Sequence, residues 1–193
     1  MEENIRRFFD FYPGTPKYDT KNFDYRCSIK CSDFRLNKAK EQVTFAPTNV
    51  NDIIMYVNEF LEAVGMKRIE NPIVRNPLSI NYQKLKTENK LKSKKDIVWM
   101  KFTVDGYLGV IAQSNDINFA IPLCKSEYRL VQEYTTAGIL VHQLHKEWDK
   151  SFVLLFPLID IPKEYKRGDI ERAIGNYLIE NNVPIIDFYS HNY

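Results

Sequence analysis

The sequence predicts an α+β domain: a mainly antiparallel sheet, a three-strand meander plus later strands, packed against two or three helices. Three observations predict it. Apolar residues recur at three- and four-residue steps in Val50 to Val64 and again in Ser126 to Lys150, the spacing that lines one face of a helix. Between those stretches lie short runs of Ile, Val and aromatic residues joined by turn residues, which read as consecutive strands. Ser151 to Ile159 is a nearly continuous apolar run, the pattern of a strand covered on both faces.

In chain order, Ile5, Phe8, Phe9 and Tyr12 sit at helical steps until Pro13-Gly14 stops the turn, and residues 13–25 read as a long loop. Arg26 to Ile29 and Gln42 to Phe45 are short strand candidates around a charged connection. Pro47-Thr48-Asn49 leads into the first long helix. Its apolar face carries Ile53, Val57, Phe60, Leu61 and Val64, and Gly65 follows the C-cap. Residues 67–83, with Pro72 and Pro77, give no clear element. Lys84 to Lys95 is the most polar stretch and reads as an exposed loop.

Asp96 to Val104 reads as a strand. Asp105-Gly106 predicts a type I′ hairpin turn, because both residue types tolerate the positive φ it needs. Tyr107 to Gln113 is the return strand, Ser114-Asn115-Asp116 a second turn, and Ile117 to Cys124 a third strand with Pro122 at an edge position. Ser126 caps the second long helix, whose apolar face carries Leu130, Tyr134, Ala137, Val141, Leu144 and Trp148. After the strand Ser151 to Ile159, a helix from Asp169 to Glu180 turns Ile170, Ala173, Ile174, Tyr177 and Leu178 inward. Val183 to Phe188 is the last strand. Residues 1–46 then form an N-terminal segment and residues 47–193 the α+β domain.

Charge and composition narrow the function classes. With 27 basic and 25 acidic residues and a net charge of +2, the chain is neither a uniformly basic nucleic-acid binder nor an acidic DNA mimic. A hydrophobic fraction of 44% and an aromatic fraction of 13% supply a core without disulfide or metal staples. Three cysteines, and an opening MEENIRRFFDFY with no apolar signal core, point to a soluble protein of the cytoplasm with free thiols. The longest apolar run is far too short to span a bilayer, so no membrane partner is expected. Abundant Lys, Asn, Ile and Tyr fit the AT-rich genomes of many viruses and mobile elements. Walker A, GxGxxG and GxSxG motifs are absent, which removes the local signatures of nucleotide-dependent enzymes and serine hydrolases.

The order helix, three strands, helix, strand over residues 50–159 resembles the core of the PD-(D/E)xK nuclease superfamily. That resemblance implies a divalent metal held by an acid on the second strand and an acid-x-Lys on the third, activating water against a phosphodiester. Here the third strand, INFAIPLCK, has no acid two residues before Lys125. The nearest acids are Asp105, Asp116 and Glu127.

Two further groups carry chemistry. On a helix, Gly138, His142, His145 and Asp149 fall on one line bordering the apolar face, at steps of four, three and four. Two imidazoles and a carboxylate suit a metal site or acid–base work, so Asp105, His142, His145 and Asp149 are the catalytic candidates for a metal-assisted phosphodiesterase. The plain alternative is a pair of polar residues at the rim of a core helix. Cys27 and Cys31 would complete a Cys2His2 set with the two histidines, or are simply small buried side chains.

The second group is basic. Lys84, Lys86, Lys90, Lys92, Lys94 and Lys95 stand within twelve residues that hold a single acid, Glu88. Arg6 and Arg7 adjoin Phe8, Phe9, Phe11 and Tyr12, whose rings suit base stacking. These cations are the nucleic-acid-binding candidates. The expected function is a small accessory protein that binds nucleic acid. The alternative is a non-catalytic protein-interaction module (an inhibitor, immunity factor or complex subunit) that meets its partner through Phe11 to Tyr25 and the tail IIDFYSHNY.

Overall fold

The computed structural model describes residues 3–9, 33–69, 72–75, 95–116 and 152–186. Helix α1 (Glu3–Arg6) runs into a 3-10 turn (Arg7–Phe9). Helices α2 (Asp33–Gln42) and α3 (Val50–Ala63) precede strand β1 (Ile73–Arg75). Strands β2 (Lys95–Phe102), β3 (Leu108–Asp116) and β4 (Val153–Pro157) follow, then helix α4 (Arg167–Glu180). The four strands lie in the order β1-β4-β2-β3, and every neighbouring pair is antiparallel. The chain has the α+β class that its periodicities predict.

Register divides the sheet into two faces. Met100 lies opposite both Ile111 and Leu154, and Val98 opposite Phe156. With Phe102 these residues form one apolar surface. Against it pack Ile53, Val57, Phe60 and Leu61 of α3 and Ile170, Ala173, Ile174 and Leu178 of α4. Alternate residues of a strand point to the other side. There Ile97, Trp99 and Lys101 of β2, Val110 of β3, and Val153 and Leu155 of β4 are buried as well. β4 is buried at every position, as its continuous apolar run predicts.

Helix ends follow from local chemistry. The Asn49 side chain accepts from the Asn51 amide at 2.8 Å and caps α3. At the other end Gly65 takes φ +79°, and the Met66 and Gly65 amides donate to the Leu61 and Glu62 carbonyls. The same pattern closes α4, where the Val183 and Asn182 amides donate to Leu178 and Ile179. Its left-handed residue is Asn182, at φ 59°. Asn182→Gly removes the Cβ from that conformation and is expected to stabilise the fold by about 0.5 kcal/mol, readable as a rise in Tm.

Asn58 of α3 is fully buried, and its side chain holds both backbone groups of Ile69. Its amide donates to the Ile69 carbonyl at 3.2 Å, and its carbonyl accepts from the Ile69 amide at 2.7 Å. Asn58→Ala leaves two buried backbone groups without partners. A loss of about 2 kcal/mol in urea unfolding is expected.

The structure corrects several expectations. Gln42 to Phe45 is not a strand: α2 runs through Gln42, and the amides of Thr44 and Phe45 close a turn onto Glu41 and Gln42. The Lys, Glu, Gln and Ala residues of 38–42 favour a helix more than Val43 and Thr44 favour a strand. The β2–β3 turn is not type I′. Only Gly106 has positive φ (+89°), and the loop has three residues, Val104-Asp105-Gly106, between paired Thr103 and Tyr107. The Thr103 hydroxyl accepts from the Tyr107 amide, and this side-chain bond selects the longer loop.

Ser114 to Asp116 continue β3 instead of turning, because Ser114 and Asp116 pair with Ile97 and Lys95. The ladder with β2 overrides their local turn preference. Of the strand expected at Val183 to Phe188, the described part makes one parallel bridge, Leu108 to Ile185. Pro184 has no amide to donate to a longer ladder. The stretch without a clear element contains β1. The expected strands Arg26–Ile29 and Ile117–Cys124 and the helix Ser126–Lys150 lie outside the described residues. No helix among the described residues is long and apolar enough to cross a membrane.

Candidate functional site

A group of charged side chains gathers where α4 begins. Asp96, the second residue of β2, takes left-handed backbone (φ 61°), and its carbonyl accepts from the Leu158 amide at 2.8 Å. Its carboxylate accepts from Arg167 Nη1 at 2.9 Å. Arg167 Nε donates to Gln113 Oε1 of β3. The first residue of α4 thus grips both strands at the open end of the hairpin. The Arg167 side chain is 19% exposed and that of Asp96 42%, so the contact is shielded from solvent on the arginine side only.

One turn along α4, Glu171 is partly buried. Burial pushes its carboxyl up to about 8, against the opposing pull of Arg172 and Arg167. Arg172 pairs with Asp169 at 3.0 Å, and Asp169 also accepts from the Lys166 amide, capping the helix start. A carboxyl that titrates near neutrality beside two guanidinium groups is able to exchange a proton at physiological pH. Sequence spacing did not single out Asp96, Gln113, Arg167 or Glu171. The four come together only through strand pairing and helix placement, and no local motif marks them.

The residues that the sequence does single out are dispersed. Asp105 is exposed at the tip of the β2–β3 loop. Lys95 lies at the other end of β2, paired with Asp116. An eight-residue strand separates those ends by about 25 Å. Arg6 is exposed. Arg7 pairs with Glu180 at 2.8 Å, at the C-terminal end of α4, and lies 4.8 Å from the Phe8 ring centre. Lys95 adjoins Asp96 at the opposite end of α4, so the helix length of about 20 Å separates the two basic groups.

Phe8 and Phe9 do not present faces for base stacking. Phe8 is buried edge-on to Tyr177 at 5.2 Å, and Phe9 stacks on Tyr165 at 4.0 Å. Their apolar area is used in the core. Lys84, Lys86, Lys90, Lys92, Lys94, His142, His145, Asp149, Cys27 and Cys31 lie outside the described residues. Among the described residues no three His, Cys, Asp or Glu side chains gather in a way that would hold a metal ion.

Basic side chains of the described residues recur in ion pairs: Arg7 with Glu180, Lys67 with Asp160, Arg68 with Glu62, Arg167 with Asp96, and Arg172 with Asp169. Each pair neutralises a positive charge locally. Compared with known proteins, the chain matches no family model, no curated protein and no solved structure.

Proposed function

We propose that this chain is a nucleic-acid-binding accessory protein whose phosphate contacts come from Lys84, Lys86, Lys90, Lys92, Lys94 and Lys95, with Arg6 adding to them. One observation carries the reading. Residues 84–95 hold a net charge of +5 in a chain of +2, so the remainder carries −3. The recurrent ion pairs of the fold support it, because they balance cations elsewhere against acids. A dense, weakly balanced run of lysines is the electrostatic footprint of a polyanion site.

The test is fluorescence anisotropy with labelled single- and double-stranded oligonucleotides, at low and near-physiological salt, with and without Mg²⁺. Micromolar binding that weakens steeply with salt is the expected result. Strand cleavage with Mg²⁺ would add phosphodiesterase chemistry to the binding. Absence of binding even at low salt would overturn the proposal.

One observation favours a second reading, a protein-interaction module. Phe45 is 55% and Val104 46% exposed. The Tyr107 hydroxyl donates to the Val43 carbonyl at 3.2 Å, which ties the Val43–Phe45 turn to the hairpin loop that bears Val104. Ile185 and Ile186 of the tail are buried and belong to the core, not to a contact surface. Under this reading a partner is lost on Phe45→Ser and kept when the lysines are neutralised.

A further inference from the structure

The lysine run ends where the sheet begins, and the fold sets a second pair of lysines beside that point. Lys95 is the first residue of β2. Its neighbour Asp96 is bound from two sides: its carbonyl accepts from the Leu158 amide at 2.8 Å, and its carboxylate accepts from Arg167 at 2.9 Å. Residues 158–167, the connection from β4 to α4, therefore meet the chain next to Lys95 at both of their ends. Between those ends the connection is pinned again. The Tyr165 amide closes a turn onto the Pro162 carbonyl at 3.0 Å, and the Tyr165 ring stacks on Phe9 at 4.0 Å. Lys163 and Lys166 belong to this fixed connection, and both are exposed.

Charge pairing leaves these two cations over. Residues 163–172 hold four basic and three acidic residues. Arg167 is paired with Asp96, and Arg172 with Asp169. Glu171 keeps its proton up to about pH 8, because burial disfavours its charged form. Lys163 and Lys166 make no ion pair among the described residues, and in this stretch only Glu164 stands against them. Lys166 is about 4 Å along the chain from Arg167, and Lys163 at most about 11 Å further back. One strand of a duplex carries a phosphate about every 3.4 Å along the axis, so a backbone crossing this region presents several phosphates to Lys95, Lys166 and Lys163.

We propose that Lys163 and Lys166 extend the phosphate-binding surface of the lysine run past Lys95, so that a nucleic-acid backbone lies across the start of α4. This inference rests on the reading of the lysine run as a phosphate-binding element. It adds a platform whose backbone is already fixed, so no loop has to be ordered there on binding.

The test is oligonucleotide anisotropy across a salt series with Lys163→Gln/Lys166→Gln, beside the fourfold variant Lys90→Gln/Lys92→Gln/Lys94→Gln/Lys95→Gln. The control is Lys40→Gln, an exposed lysine of α2. The turn after α2 is tied by Tyr107 to the other end of β2. Loss of two contacts is expected to flatten the slope of log K against log salt by about 2 and to lower affinity about tenfold at low salt, with Lys40→Gln unchanged. An unchanged slope in the double variant, beside a flattened one in the fourfold variant, overturns the extension and leaves the lysine run in place. An effect of Lys40→Gln as large per charge reduces the loss to net charge and overturns the extension too. Absence of binding by the unaltered chain overturns both. Acetylation of the unaltered chain with and without oligonucleotide needs no variant: Lys163 and Lys166 are expected to be shielded and Lys40 not. Equal labelling of all three with oligonucleotide bound overturns the proposal.

Discussion

Replacing Lys90, Lys92, Lys94 and Lys95 with Gln is expected to lower oligonucleotide affinity by about two to three decades at low salt, with Tm unchanged. Each phosphate neutralised on a duplex contributes about −0.9 to the slope of log K against log salt. Six lysine contacts predict a slope of roughly −5, and the two left after substitution roughly −2. The slope is the sharper observable, since it counts ions released and is insensitive to a small error in active protein. Lys95 enters β2 through its backbone register with Asp116, which Gln preserves. Unchanged affinity and slope in the substituted protein would eliminate the lysine run as the phosphate-binding element. Arg7→Gln, by contrast, removes a cation already paired with Glu180, and its effect on binding is expected to be small.

Glu171→Gln is expected to stabilise the protein most at alkaline pH. Burial raises the Glu171 carboxyl from about 4.5 to about 8, so the folded chain keeps its proton through a window in which the unfolded chain has lost it. Stability therefore falls as pH rises from about 4.5 to about 8, and the penalty is complete above that window. Gln cannot ionise. Its advantage is near zero at pH 4, grows across the window and levels off above pH 8 at on the order of 3 kcal/mol, allowing for the partial solvent contact of the residue. Urea unfolding at pH 4.5, 6.5 and 8.5 measures this directly. Parallel curves for the two proteins would show that the carboxyl titrates normally.

The sequence is legible where burial is periodic. The apolar faces of α3 and α4 and the continuous run of β4 are encoded by side chains that leave water on one side or on both, and each appears in the expected place. The hairpin is legible in its location but not in its type, because the decision lies with the Thr103 hydroxyl and not with the Asp-Gly pair. Lys101 marks another limit. It sits fully buried in a strand between Val110 and Val153, where polarity alone would put it outside. The Asp96–Arg167–Gln113 contact spans 71 positions between its first two members, and nothing local in a sequence registers such a distance. Arg7, Phe8 and Phe9 had the composition of a base-stacking motif. The competing use of those rings, against Phe60, Tyr165 and Tyr177, wins because it buries them.

The strand order has a consequence for how the chain is made. β4, the last of the described strands in chain order, lies between β1 and β2, and it is the described partner of β1. A nascent chain that has emerged only as far as β3 can close the β2–β3 hairpin, while β1 waits for the segment that joins it to the rest. Closure of the four described strands into one sheet is therefore late, gated by five apolar residues, Val153 to Pro157. A ribosome stalled before residue 153 would display an open hydrophobic ladder, the form of intermediate that chaperones bind.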